Sequence, residues 1–339
     1  MGRINSLSEQ KNTLLWAISY SDALIKKIPD NFKLSTISKT YNLELKKYFS
    51  LSALSRSTSA PREIVEQAYD LVFRIRTKIE KSIADSIKII LDKDEFKLEL
   101  LFQGSFFGCS KKQGVSLRLP LTSCVPSKLC GAACYAHDVL DAAPASIVRG
   151  VINGLIAGIY EKGDKDTQKY IMTQLTSHIK KAIKTAIKEV SQLETGWNRR
   201  PYIRFSHVGE ISEWPNFCNA LAKQVKGISN ESVDAIIYTR HPKAKYIDTD
   251  LSIVNFTLDK GSENRLDWKP DNSRLVYSAF GGEISPEVEV NFLEHHRWIH
   301  MDPIGIGKVC PTTLPETKIE DRTCDAVQCN LCFEQPNTE

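Results

Sequence analysis

No run in this 339-residue sequence is apolar enough to cross a bilayer. The longest candidate, residues 147–160, is broken by Arg149 and Asn153 and falls short of the ~20 apolar residues that a spanning helix needs. Charge of one sign is also missing. The 45 Lys and Arg stand against 41 Asp and Glu, a net of +4, so any nucleic-acid footprint must come from local clustering. Neither G-x-G-x-x-G nor G-x4-G-K-[ST] occurs, which disfavours a Rossmann or P-loop nucleotide enzyme. There is no internal repeat, no low-complexity tract, and no charged-then-apolar stretch of the secretory kind. A cytoplasmic chain without membrane contact is the expectation, and there thiols stay reduced.

What is present is an ordinary globular composition, 42% hydrophobic and 25% charged, at a length suited to about two domains. Its nine cysteines are unevenly spread. Cys124, Cys130 and Cys134 form one group, spaced C-x5-C-x3-C; Cys310, Cys324, Cys329 and Cys332 form another, closing in C-x2-C. Thiolate ligation of a metal or an iron–sulfur cluster needs several sulfurs converging on one small volume, and both groups suit it. The four later cysteines complete a tetrahedral set that fits zinc or a second iron–sulfur cluster, because soft thiolate serves both. Cys109 and Cys218 stand alone and read as small buried hydrophobes.

Residues 1–100 read as helical, with Leu14, Leu15, Ile18, Leu24 and Ile25 at roughly helical spacing and a longer amphipathic pattern over residues 64–91. Residues 50–61 form the expected hinge between helical parts. From residue 114 the pattern turns to short β-rich runs, at residues 116–123, 202–209, 235–240, 252–259, 274–281 and 298–307. Between the first two lie helical runs at 143–161 and 167–193, an insertion of about 143–195. The second places Ile179, Ile183, Ile187 and Val190 on one stripe and Lys180, Lys181, Lys184 and Lys188 off it. Another helix is expected to start near Pro286. The six runs form a βα series, and the fold class expected is α/β: a partial (βα)6 barrel of mainly parallel strands over residues 101–308. An α-helical extension precedes it and a cysteine-rich segment, residues 309–339, follows.

A thiol loop at the carboxyl end of the first strand occupies the place where barrel and open α/β enzymes keep their chemistry. This combination resembles the radical S-adenosylmethionine superfamily over about residues 115–308. In that superfamily a Gly-Glu-type motif after the second strand holds the cofactor's amino group, which the resemblance carries to Gly209 and Glu210. The strand flanking the adenine is matched by residues 299–307, with Gly305 and Gly307 letting a flat ring lie close. The common superfamily spacing is C-x3-C-x2-C. Here the wider loop, ending Cys134-Tyr135-Ala136, resembles the variant "CYA" loops of phage- and mobile-element-associated proteins. The resemblance implies a [4Fe–4S] cluster on Cys124, Cys130 and Cys134, S-adenosylmethionine on its open iron, an external electron donor and an unknown substrate.

Other titratable residues fall at or near predicted strand ends: His207, Arg240, His241, Asp259, His300 and Asp302. Glu283 closes a Gly-Gly-Glu after the fifth strand, and the loop around Arg240 would suit an anion. His295 and His296 are expected on a helix surface at the other face. The competing class is a non-enzymatic zinc protein acting beside nucleic acid, with lysine-rich helices 11–47 and 165–188 as its contact surface.

Overall fold

A computed structural model of the chain describes residues 6–20, 25–93, 95–110, 114–127, 130–131, 134, 136, 143–192, 200–280, 284–294 and 309. Two compact units emerge. One comprises Met1–Gly104, Pro120–Thr122 and Cys130–Leu155; the other comprises Ser105–Leu119, Ser123–Leu129 and Ile156–Glu339.

The first unit contains α1 (Leu7–Ser19), α2 (Leu34–Thr40), α3 (Asn42–Leu54) and α4 (Arg62–Leu91). A reciprocal cap starts α1: Glu9 N donates to Ser6 Oγ and Ser6 N to Glu9 Oε2, both at 3.2 Å. Along α4, Val65, Ala68, Val72, Ile75, Ile79, Ile83, Ile87 and Ile90 recur every three or four residues, and all are buried. That stripe packs against α1 and α3. Arg76 and Glu80 lie within it, each 1% exposed, with Nε donating to Oε1 at 2.6 Å. The same guanidinium stands over the Tyr48 ring at 5.3 Å, and Glu80 Oε2 accepts from Thr122 N at 3.2 Å. The buried pair thus holds α4 to α3 and to the turn that leads into the cysteine loop.

The second unit is an α/β structure around one seven-stranded sheet: β1 (Phe107–Ser110), β2 (Gly114–Arg118), β3 (Tyr202–Val208), β4 (Asp234–Thr239), β5 (Ile253–Asp259), β6 (Arg274–Phe280) and β7 (Val290–Glu294). The strands follow chain order across the sheet. β1 and β2 form an antiparallel hairpin, and β2 through β7 are parallel, so their carboxyl ends share one edge. The sheet is open, and the doubly wound reversal of strand order is absent from it.

Four predicted strands coincide with β3 to β6 within a residue or two. The first is shorter than expected. β2 ends at Arg118 because Pro120 has no N–H for the ladder, although Leu119 N still reaches Val208 O at 2.8 Å. The run at residues 298–307 lies outside the described residues, as do His295, His296, His300, Asp302, Gly305, Gly307 and the cysteines from Cys310 onward. No helix starts at Pro286: a turn leads there into β7, whose apolar and β-branched side chains pair with β6. Nor does every crossover carry an α-helix. α5 (Pro144–Lys162) and α6 (Lys165–Ser191) lie between β2 and β3, and α7 (Pro215–Ser229) between β3 and β4. Residues 240–252 and 260–273 carry 3-10 turns instead, Pro242–Tyr246 and Glu263–Trp268.

The two faces of the sheet differ. Ile203, Phe205, Ile237, Val254 and Phe256 line one face and are buried, as the side packed by helices requires. The other carries Arg204, Tyr238, Asn255, Thr257, Asp259, Arg274 and Ser278. On this polar face the Arg204 guanidinium lies 4.4 Å from the Tyr238 ring centroid, and Tyr238 meets Phe292 at 6.3 Å. β4 and β7 are three strand spacings apart, about 14 Å on a flat sheet. The sheet therefore curls toward its polar face.

The Arg76–Glu80 pair gives a test of the helical unit. Removing one partner strands a buried charge, so Arg76→Met is expected to cost about 3–5 kcal/mol, whereas Arg76→Met with Glu80→Leu recovers most of it. Urea midpoints of the two variants check this.

Candidate functional site

The carboxyl ends of β3, β4 and β5 converge on two buried acids. Gly209 follows β3 with φ +75°, a conformation open to glycine, and turns the chain so that Glu210 folds back against the sheet. Glu210 N donates to Ser123 Oγ at 2.8 Å, and Ser123 directly precedes Cys124. The Glu210 carboxylate accepts from Thr239 Oγ1 at 2.5 Å and from Arg240 N at 3.3 and 3.4 Å. The Arg240 side chain turns the other way and donates from Nη1 to Asp259 Oδ2. Ser127 Oγ, from the cysteine loop, donates to the same Oδ2 at 2.5 Å. Asp259 is fully buried, and its Oδ1 has no hydrogen-bond partner among the described residues.

The loop is tethered a third time. Arg265 donates from Nη1 to Val125 O at 2.7 Å and from Nη2 to Pro126 O at 3.3 Å, with its guanidinium 5.2 Å from the Trp268 ring. Ser123, Val125, Pro126 and Ser127 are thereby fixed to the mouths of β3 and β5. Cys124 sits among them, half-buried and outside any disulfide.

Electrostatics separate the groups. Burial pushes the Glu210 carboxyl above the usual 4.5, against the Thr239 hydroxyl and the Arg240 and Arg265 charges, which pull it down. His241 is held below the ordinary histidine value by burial, against the pull of Glu213. Its Nδ1 accepts from Lys243 N at 3.2 Å, so the proton resides on Nε2, 3.0 Å from Glu213 Oε2. Lys243 Nζ holds the other Glu213 oxygen at 2.8 Å. The His241 imidazole thus latches the turn after β3 to the turn after β4, while the His241 backbone N–H donates to Thr239 Oγ1 at 3.1 Å and so supports the Glu210 network.

Of the residues singled out in the sequence, Gly209, Glu210, Arg240 and Asp259 are brought together. His207 is buried in β3, with Nδ1 3.4 Å from Ser116 Oγ. Cys130 and Cys134 are half-buried and are not in disulfides. Among the described residues no three or more His, Cys, Asp and Glu side chains are grouped to hold a metal ion. Glu283, Gly305, Gly307, Cys310, Cys324, Cys329 and Cys332 lie outside the described residues. Cys218 is buried as expected, with its thiol pushed up by burial. Cys109 is not: it is exposed at the sheet edge, bonded to Glu189 Oε1 at 2.7 Å, its thiol raised to about 11 by partial burial and that carboxylate. Sequence reasoning missed Ser123, Ser127, Thr239, Glu213 and Arg265. The two serines flank Cys124 and Thr239 adjoins Arg240, a signal of sorts; Arg265 carries none.

No protein-family model, no curated protein and no solved structure matches this chain. No helix among the described residues is long and apolar enough to cross a membrane.

Glu210 makes stability depend on pH with a definite sign. Between 4.5 and its raised value, the folded chain keeps a proton that the unfolded chain has released, so this group's contribution is present below 4.5 and is lost as pH rises through the folded pKa. Glu210→Gln cannot ionise and keeps a comparable shape. Thermal unfolding of both proteins should show the variant gaining on the wild type as pH rises from about 4 to 7; a difference that stays flat would show that the carboxyl titrates normally.

Proposed function

We propose that this chain is an iron–sulfur protein and a radical-SAM-like enzyme that reductively cleaves S-adenosylmethionine to act on a substrate. Cys124, Cys130 and Cys134 are assigned to its [4Fe–4S] cluster, and Gly209 and Glu210 to the cofactor's amino group. The observation that carries the reading is the 2.8 Å hydrogen bond from Glu210 N to Ser123 Oγ. It ties the Gly-Glu turn after the second parallel strand to the residue beside the first loop cysteine.

Three further features agree. The parallel strands run in chain order, as the wall of a partial barrel does. One face of the sheet is apolar and the other polar and concave, which suits a lumen lined for a polar ligand. The Thr239 hydroxyl and the Arg240 backbone N–H hold the Glu210 carboxyl in place, and its ionised form is able to meet an ammonium group. The cluster assignment rests on the C-x5-C-x3-C spacing and on the place of that loop after the first parallel strand, not on a preformed ligand set. The later assignments, Gly305 and Gly307 at the adenine and Cys310, Cys324, Cys329 and Cys332 at a second cluster or zinc, rest on the sequence alone. So does the external electron donor.

The test is anaerobic purification with iron, acid-labile sulfide and zinc measured per chain, followed by electron paramagnetic resonance of the reduced protein with and without S-adenosylmethionine. Iron and sulfide with a cofactor-perturbed signal are expected. Cys124→Ala should lose that signal, and Glu210→Gln should keep the signal while losing its response to the cofactor. Because protonation removes the carboxylate's charge, cofactor binding to the wild type should tighten as pH rises through the Glu210 titration, and in Glu210→Gln it should not. Zinc alone, with no iron after reconstitution, would sink the proposal.

A further inference from the structure

The outer helices of the second unit carry charge of one sign although the whole chain is nearly balanced. Residues 167–188 of α6 contain Lys169, Lys180, Lys181, Lys184 and Lys188 and no Asp or Glu. α7 adds Lys223 and Lys226 and also lacks an acid. Gln224 Nε2 of α7 donates to Thr176 Oγ1 of α6 at 2.9 Å and to Met172 O at 3.3 Å, which places the two helices side by side. The acid that ends the run, Glu189, is engaged by the Cys109 thiol.

The geometry of α6 decides what faces outward. Ile171, Leu175, Ile179, Ala182, Ile183 and Ala186 are buried, so all of the apolar stripe up to residue 186 is consumed inside the protein, and Ile187 near its end is exposed. Tyr170, Thr173, Ser177, Lys181, Lys184 and Lys188 recur at three or four residues and are exposed, with Lys180 beside them. Four residues advance about 6 Å along a helix, so the lysines from 180 to 188 form a row about 12 Å long. A membrane-surface helix needs a free apolar face to enter the lipid, and here that face is spent on the core. A row of ammonium groups has instead the composition of a surface that tracks phosphates.

We propose that the exposed face of α6, flanked by α7, binds the phosphate backbone of nucleic acid. The assignment stands on the described helices and is independent of the iron–sulfur reading. Of the lysines near the start of the chain, Lys26 is paired with Glu44 at 2.7 Å and Lys47 lies over the Trp16 ring at 5.5 Å.

The experiment is fluorescence anisotropy of the full chain against a labelled single-stranded oligonucleotide and the matching duplex. Binding that weakens roughly 50- to 130-fold for the single strand, and roughly 150- to 500-fold for the duplex, between 50 and 200 mM salt is expected if four or five phosphates are neutralised. Combined Lys180→Gln, Lys181→Gln, Lys184→Gln and Lys188→Gln should lose at least about tenfold in affinity and flatten the salt slope. Circular dichroism is expected to be unchanged, since all four side chains are exposed. A control neutralising Lys11, Lys46, Lys81 and Lys93, also exposed, should bind like the wild type. The proposal is overturned by any of three results: no binding to either oligonucleotide at 50 mM salt, an equal loss in the control, or binding to phosphatidylserine vesicles without binding to the oligonucleotides.

Discussion

Two carboxylates are buried at the carboxyl edge of the sheet, and the fold around them is arranged to satisfy that demand. Arg240 serves both: its backbone N–H faces Glu210 and its guanidinium holds Asp259. Burying an acid without donors costs several kcal/mol, so the ends of β3, β4 and β5 stay in register with one another only while these contacts persist. Thr239 and Ser127 supply the remaining donors, and Ser127 brings the cysteine loop with it. The position of the loop is therefore a consequence of the acids' need for hydrogen bonds. Asp259 Oδ1 is the one oxygen of the two carboxylates left without a donor among the described residues.

The sheet supplies the frame for that edge. Strands in chain order with parallel pairing put every strand's carboxyl end on the same side, so residues distant in sequence meet at one mouth. The curl toward the polar face, seen where Tyr238 meets Phe292, gives Arg204, Asn255 and Arg274 a concave setting. On the convex side the packing is apolar, with Ala244, Phe256 and Leu258 in one cluster backed by Trp268, Leu275 and Tyr277. The face that carries Arg204, Asn255 and Arg274 and the apolar face that packs this cluster are thus separate.

Strand positions were legible because β-branched and aromatic runs flanked by turn residues are a local signal, and β3 to β6 appear where they were expected. β1 and β7 were missed for opposite reasons. β1 is four residues long and exists through its hairpin with β2, while the Pro286 turn before β7 imitates a helix start. The 3-10 crossovers were overestimated as helices because sequence spacing sets only an upper limit on what fits between two strands. At the site, Glu210, Arg240 and Asp259 were recognisable as polar residues ending apolar strands. Their partners were not, since Arg265 reaches Val125 across the fold and nothing in the local sequence of either residue marks the contact.

The amino-acid sequence by itself determined the periodic elements, the grouping of cysteines, and the acid-free lysine face of α6, because each follows from near neighbours along the chain. Only the tertiary structure decided that Glu210 adjoins Ser123, that Arg240 bridges two acids, and that the His241 ring latches onto Glu213. Those outcomes depend on the register and curl of the sheet, which arise from packing and hydrogen bonding summed over many strands and are encoded in no single segment.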